Sequence, residues 1–330
     1  MESHHSKQTA QTVTGAIQAV IDASPARKRL TIICPVFNEA KVITLFYGRI
    51  RPVMDKLAQN YDVNLVFSNN ASTDATLSEI EKIRKEAKDV FVLSLTANVG
   101  YQRSLECGLR NCKGDLFVFI DVDCEDPPEM ILEFVQAHEQ GFDIVYGERT
   151  DREESEFVKM LRKIFYRTLR ALADEEVILD MAEFSLMTSE VRDAIIQDNT
   201  SFPFIRASIG RVGYRRKGIT YKRHKRIAGE THYNFFGMTK FAIAGILSSS
   251  TLFLRIPIYT LPFWLLFMAL LPSAYVLTDN KWYLVATFLA FATYVGATIS
   301  FIAIYVARIH KNTLGRPNFI IDSRTSSPQP

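Results

Sequence analysis

At 330 residues, 48% of them hydrophobic, the chain is long enough for one large domain or two smaller ones. A formal net charge of only +3 gives no global basis for nucleic-acid binding. The four cysteines form no C-x-x-C pair, which argues against a structural zinc site, and nothing suggests a disulfide framework. Of Cys34, Cys107, Cys112 and Cys124, three lie in or near apolar segments and read as small core residues of a protein in a reducing compartment.

Residues 1–29 lack a continuous apolar core beside a basic start, so they read as a mobile extension and not a secretory signal. Leu30–Phe37 (LTIICPVF) is a short apolar run ending in a turn, the pattern of a buried strand. Helical spacing follows over 40–58. Val63–Ser68 is a second strand, with a helix after Thr73. Val90–Leu95 is a third, with a helix to about Cys112. Leu116–Ile120 (LFVFI) is the most apolar strand, and Asp143–Tyr146 follows a helix that starts near Pro128. This alternation predicts an α/β fold with a mostly parallel sheet and helices on both faces. Ligands of such sheets bind beyond the carboxyl ends of the strands. Polar residues stand there at every strand: Asn38-Glu39, Asn69-Asn70, Asn98, Asp121-Val122-Asp123 and Glu148-Arg149.

Asp121, Asp123 and Glu125 alternate directly after the LFVFI strand. In an extended segment residues two apart share a side, so three carboxylates would converge and repel one another without a cation. Mg²⁺ or Mn²⁺ suits such oxygen donors and also binds diphosphate; it would stabilise charge on a departing nucleoside diphosphate. In the plainer alternative, Asp126 caps the following helix and its neighbours are solvated.

Further along, Phe157, Leu161, Ile164, Phe165 and Leu172 form one stripe of a basic amphipathic segment over 157–172, suited to a membrane interface or to a core-packed helix with a solvated back. Between Arg206 and Arg226 stand nine Lys or Arg residues and no Asp or Glu. Such a stretch near a cytoplasmic leaflet attracts anionic head groups. Phe235–Ser248 reads as an interfacial helix. The 23 uncharged residues Ile256–Thr278 and the 26 of Trp282–Ala307 each exceed what a bilayer core requires. The polar link Asp279-Asn280-Lys281 makes them a helical hairpin. Arg255 before the hairpin and Arg308, Lys311 and Arg316 after it place both ends in the cytoplasm by the positive-inside rule.

The pieces PVFNEA (35–40), ASTDAT (71–76), NVG (98–100), IDVDCEDPPE (120–129), DIVYGER (143–149), FIR (204–206), GETHY (229–233) and RPNFII (316–321) run in order along nearly the whole chain. In them the chain resembles the family 2 glycosyltransferases of the polyprenyl-phosphate type, such as dolichol-phosphate mannosyltransferase and bactoprenol glucosyltransferases. The resemblance implies a GT-A fold and inverting transfer of a sugar from a nucleotide-sugar, UDP-linked, to a polyprenyl phosphate such as undecaprenyl phosphate. The lipid-linked sugar would serve cell-envelope glycan modification. It implies a cytoplasmic catalytic domain over 30–234, an interfacial helix over 235–251, two transmembrane helices over 252–310 and a cytoplasmic tail over 311–330, all at the inner membrane. Its implied partners are donor, lipid acceptor, membrane lipids and further copies of the chain, with no nucleic acid.

By the same resemblance Asp121, Asp123, Arg149 and Glu183 are catalytic candidates. Pro35, Asn38, Glu39, Asn70, Asp74, Asn98, Gly100, Asp121 and Val122 line the nucleotide-sugar pocket. Asp123 and Glu125 hold the metal, and Arg206, Arg223 and Arg226 meet the acceptor or diphosphate. A phosphate acceptor is already anionic, so positioning and charge neutralisation matter more than base catalysis. Three departures stand out: Asn69-Asn70 replaces the family's Asp-Asp, Ala182-Glu183-Phe184-Ser185 replaces Gly-Asp-Phe-Arg, and His232 replaces a Lys. They suggest a divergent branch and keep open a catalytically inactive homologue that binds nucleotide-sugars or acts as a scaffold.

Overall fold

The computed structural model describes residues 27–149, 160, 178, 181–198, 200–224, 226–227 and 250–327. Residues 1–26, nearly all of the amphipathic segment 157–172, the GETHY motif and the interfacial segment 235–249 lie outside the described residues.

The five strands expected from the sequence form, and so do the four helices between them. They are β1 (Arg29–Val36), α1 (Ala40–Leu57), β2 (Asp62–Asn69), α2 (Thr76–Glu86), β3 (Val90–Ser94), α3 (Tyr101–Asn111), β4 (Leu116–Phe119), α4 (Met130–Glu139) and β5 (Ile144–Arg149). Two strands were not legible in the sequence. β6 (Met181–Thr188) inserts antiparallel between β4 and β5, and β7 (Arg216–Tyr221) pairs parallel with β5 at the sheet edge. The seven-stranded order is β3-β2-β1-β4-β6-β5-β7, mixed but mostly parallel. Two short helices, α5 (Ser189–Ile196) and α6 (Ile205–Arg211), flank the later strands. Thr188 caps α5, its hydroxyl accepting from Val191 N at 3.5 Å.

Helices cover both faces, as the alternation predicts. On α1, Val42, Ile43, Phe46, Ile50, Val53, Met54 and Leu57 recur at helical spacing and are buried with α2 and α4 in one core. Leu105 and Leu109 of α3, Val191 of α5 and Ile205 of α6 build the other core against Ile33 and Phe117. All four cysteines are buried and free. Gly108 lets α3 approach β1 closely: a Cβ there would lie 2.5 Å from Ile33 Cγ2. That methyl is fixed to a branched Cβ inside the core and cannot swing aside. Gly108→Ala is therefore expected to destabilise the protein by about 1–3 kcal/mol. An unchanged melting temperature would show that α3 can slide away from β1.

Helices α7 (Leu252–Thr278) and α8 (Trp282–Thr313) are long and apolar enough to cross a membrane. Asp279 ends α7 in the left-handed conformation (φ 50°), with its N–H on Tyr275 O at 2.8 Å, so the expected tight hairpin forms. Trp264 of α7 stacks on Tyr294 of α8 with ring centres 4.5 Å apart. The Tyr294 hydroxyl donates to the carbonyl of Pro257, so the second helix supports the proline-bearing first one.

Candidate active site

β1 has β2 on one side and β4 on the other, so the winding direction reverses between β1 and β4. Diverging connections at such a point open a crevice beyond the strands' carboxyl ends. A cavity of about 520 Å³ lies there. Pro35, Val36, Phe37 and Glu39 at the end of β1 line one part of it. Asp121, Val122, Asp123 and Glu125 after β4 line another. Asn70, Asn98, Gly100, Tyr101 and Ser104 come from the β2 end and the start of α3, and Arg223 and Arg226 from the segment after β7.

Most of the expected residues thus meet in one place. Asn38 and Asp74 serve the same site by shaping its loops instead of lining it. Asn38, at φ 55°, accepts from Thr73 N at 2.8 Å through Oδ1, and its own N–H donates to Ser72 Oγ at 3.1 Å. Asp74 accepts from Thr76 N and Ala40 N at 2.9 and 3.2 Å, which pins the start of α1 to the next loop. Asn70 is locked from both ends: its Nδ2 donates to Asn98 Oδ1 at 3.0 Å and its Oδ1 accepts from Val99 N at 2.9 Å. Both polar ends of the amide are used, which fits Asn better than a carboxylate at this position.

The acidic segment differs from the extended arrangement expected of it. β4 ends at Phe119, the chain turns at Val122-Asp123, and Cys124 takes φ 53°. All three carboxylates still line the same cavity, and neighbours balance them there. The Tyr101 hydroxyl donates to Asp121 Oδ1 at 2.7 Å. Burial, then the charges of Asp123 and Asp126, push the Asp121 carboxyl up to about 7. Asp123 Oδ1 accepts from Glu125 N at 3.0 Å, and its Oδ2 pairs with Arg226 Nη2 at 3.0 Å. Arg223 pairs with Glu125, and Arg226 Nε lies 3.7 Å from Glu125 Oε1. The donor set of hard carboxylate oxygens on one cavity wall fits a divalent cation chemically. The two guanidinium groups lie on those same oxygens, and no cluster of three metal-ligating side chains is assembled among the described residues.

Two further expected residues act beside the cavity. Arg149 pairs with Asp126 at 3.2 Å and donates to the Tyr221 hydroxyl at 3.1 Å. Asp126 also accepts from Tyr221. It is therefore a tie between loop and sheet; the N-cap of α4 is Glu129, without a side-chain bond, so the capping alternative does not hold. Glu183 on β6 accepts from Gln102 Nε2 at 3.0 Å and pairs with Arg206 at 3.3 Å, while its buried Oε2 has no hydrogen-bond partner among the described residues. Ser185, where the family's Arg would stand, donates to the Glu183 carbonyl inside the core. Sequence reasoning missed Tyr101 and Ser104; Tyr101 directly follows the NVG motif, which was the available signal.

Residues 31–196 match the family described as Glycosyl transferase family 2. A Bacillus subtilis protein named Uncharacterized glycosyltransferase YkcC is 31% identical over 303 residues, 88% of this chain and 92% of that one. The Bactoprenol glucosyl transferase of Shigella phage SfX is 28% identical over 308 residues, covering 90% of this chain and 99% of its own. The Prophage bactoprenol glucosyl transferase homolog of Escherichia coli K12 is 32% identical over 232 residues, 70% and 75% of the two chains. With an α/β sheet, an acidic cleft at its switch point and these matches, the chain belongs to glycosyl transferase family 2 and is a glycosyltransferase.

Proposed function

We propose that the chain transfers a sugar, with inversion, from a UDP-linked donor to a polyprenyl phosphate at the cytoplasmic face of the inner membrane. The observation that carries this reading is the union, in one chain, of an acidic, arginine-bordered cleft with two membrane-length helices. The relatives named for bactoprenol glucosyl transfer support the same acceptor class. Positive charge at Arg308, Lys311 and Arg316 supports a cytoplasmic catalytic domain.

In this reading Asn70 and Asn98 border the nucleotide, and Gly100 and Tyr101 present the start of α3 to the diphosphate. Tyr101 holds Asp121 in one orientation toward the donor. A divalent cation, Mg²⁺ or Mn²⁺, held by Asp123 and Glu125, would supply neutralising charge to the departing nucleoside diphosphate. Arg223 and Arg226 have anionic partners in the resting cleft and exchange them for phosphate oxygens when substrate enters. Arg206 and Glu183 lie beside the cavity as candidates for orienting the lipid phosphate and the sugar. The acceptor oxygen is already charged near neutral pH, so the cleft's task is alignment and charge balance.

The test is an assay with the full chain in membranes, undecaprenyl phosphate, Mg²⁺ or Mn²⁺ and a panel of nucleotide-sugars. The expected outcome is an organic-extractable lipid-linked sugar formed from a UDP-sugar. Failure with every donor, alongside retained nucleotide binding, would replace this reading with that of a binding homologue without turnover.

A further inference from the structure

The segment after α8 does not end as a loose tail. Gly315, at φ 58°, turns the chain out of the helix, and the residues beyond it return to the catalytic sheet. They lie along β3, the edge strand. Thr96 N donates to Ile320 O at 3.0 Å, Asp322 N to Ser94 O at 2.8 Å and Ser327 N to Val92 O at 2.8 Å. Side chains complete the ladder: Ser94 N donates to Ser326 Oγ at 2.9 Å and Val92 N to Ser327 Oγ at 3.1 Å. An exposed edge strand is an open template for pairing, and here the chain's own C-terminal segment occupies it.

Two of these attachments continue into the walls of the cleft. Ser94, 2% exposed, donates its hydroxyl to Thr325 O at 3.2 Å and accepts from Asn69 Nδ2 at 3.2 Å. Asn69 Oδ1 accepts from Ser72 N at 3.1 Å, and Ser72 Oγ accepts from Asn38 N at 3.1 Å. Asn69 immediately precedes the cavity residue Asn70, and Asn38 lies between Phe37 and Glu39, which also line the cavity. A continuous series of hydrogen bonds thus runs from residue 325 to both loops of the nucleotide corner. The second attachment is Asn318, whose Nδ2 donates to Glu106 Oε2 at 2.8 Å and to Thr200 O at 2.9 Å. Glu106 is a buried residue of α3, the helix whose first turn carries Tyr101 and Ser104 into the cleft.

We propose that residues Asn318–Ser327 are a positioning strap that fixes the nucleotide-binding corner from outside, with Ser94 as the relay between strap and corner. The strap comes shortly after α8, so it joins the helical hairpin to β3 through backbone bonds and to the donor corner through the side chains of Ser94 and Asn318. It rests on the reading that the cleft binds a nucleotide. Coupling between separate sites is reciprocal: the strap raises nucleotide affinity and bound nucleotide tightens the strap.

The experiment compares the full chain in detergent with a chain ending at Ile321 and with Ser94→Ala, using UDP, GDP and CDP as probes. In the shortened chain the Kd of the preferred nucleotide is expected to rise about tenfold, within the usual range for coupled sites. Ser94→Ala is expected to move it about threefold in the same direction. In the intact chain, saturating nucleotide is expected to slow hydrogen exchange at the amides of Thr96, Asp322 and Ser327. Melting temperatures separate this from a merely structural role, which would lower stability and leave the Kd of the folded fraction unchanged. If the shortened chain does not fold, Ser94→Ala and the exchange measurement decide. Unchanged affinity in Ser94→Ala together with unprotected strap amides overturns the coupling and leaves the donor site standing. No nucleotide binding by the intact chain overturns the donor-site reading and the coupling with it.

Discussion

Asp123→Ala is expected to lower sugar transfer about 10²–10³-fold while the protein stays folded, a loss of the size seen when one group that stabilises transition-state charge is removed. Asp123 is 6% exposed, lines the cleft and stands two residues from both Asp121 and Glu125. Its two oxygens have separate duties. Oδ1 accepts from Glu125 N, which holds the turn, and Oδ2 faces Arg226. Alanine removes both, so Arg226 loses its 3.0 Å partner and shares Glu125 with Arg223, which also has Asp126 at 3.8 Å. Asp123→Asn keeps an acceptor for the Glu125 N–H but loses the charge. Turnover of the asparagine variant close to that of alanine assigns the effect to charge, whereas recovery toward wild type assigns it to the turn. The measurement is the rate of lipid-linked sugar formation at saturating donor. Near-wild-type rates in both variants would remove Asp123 from the chemistry altogether.

The arginines make this prediction sharper than the sequence alone allowed. The acidic cluster stood out because three carboxylates after an apolar strand are rare neighbours without compensation. What compensates them lay a hundred residues away, at Arg223 and Arg226, which the sequence assigned to the acceptor or diphosphate and not to these carboxylates. Arg226 meets Asp123 across 103 positions of sequence, and no local pattern encodes that distance. The strands up to Arg149 were legible for the opposite reason: each is a short apolar run closed by a turn, buried on both faces. β6 hid because its eight positions are all buried yet include Glu183, Ser185 and Thr188, so the apolar run is broken. β7 hid because it begins Arg216-Lys217-Gly218 and lies at the sheet edge, paired on one side only among the described residues. The RPNFII segment was visible as a motif, but the bonds that seat it, Ile320 O with Thr96 N and Asn318 Nδ2 with Glu106, join it to residues far back in the chain, which no local pattern encodes.

Asp126→Ala is expected to cost about 3–5 kcal/mol, the penalty for stranding a buried charge by deleting its partner. Asp126 is 1% exposed and receives three groups from other elements. Arg149 of β5 approaches at 3.2 Å, the Tyr221 hydroxyl of β7 donates to it, and Arg223 Nε lies 3.8 Å away. Burial and then the Asp126 charge hold the Tyr221 phenol well above the ordinary tyrosine range, so it remains a donor at any physiological pH. Without Asp126 the Arg149 guanidinium stays in a largely buried place without its paired carboxylate, keeping the Tyr221 phenol oxygen and the more distant Asp121 charge. A fall in melting temperature of roughly 6–20 °C should follow for a domain of this size. The double variant Asp126→Ala with Arg149→Met removes both charges and is expected to recover much of that loss, because a buried pair costs less to delete whole than to halve. A single variant within about 1 kcal/mol of wild type would mean that water reaches Arg149. Transfer activity adds a second criterion. Asp126 connects the turn bearing Asp123 and Glu125 to β5 and β7, so the stabilised double variant should still transfer sugar more slowly than wild type. Full activity in it would confine Asp126 to holding the sheet edge together.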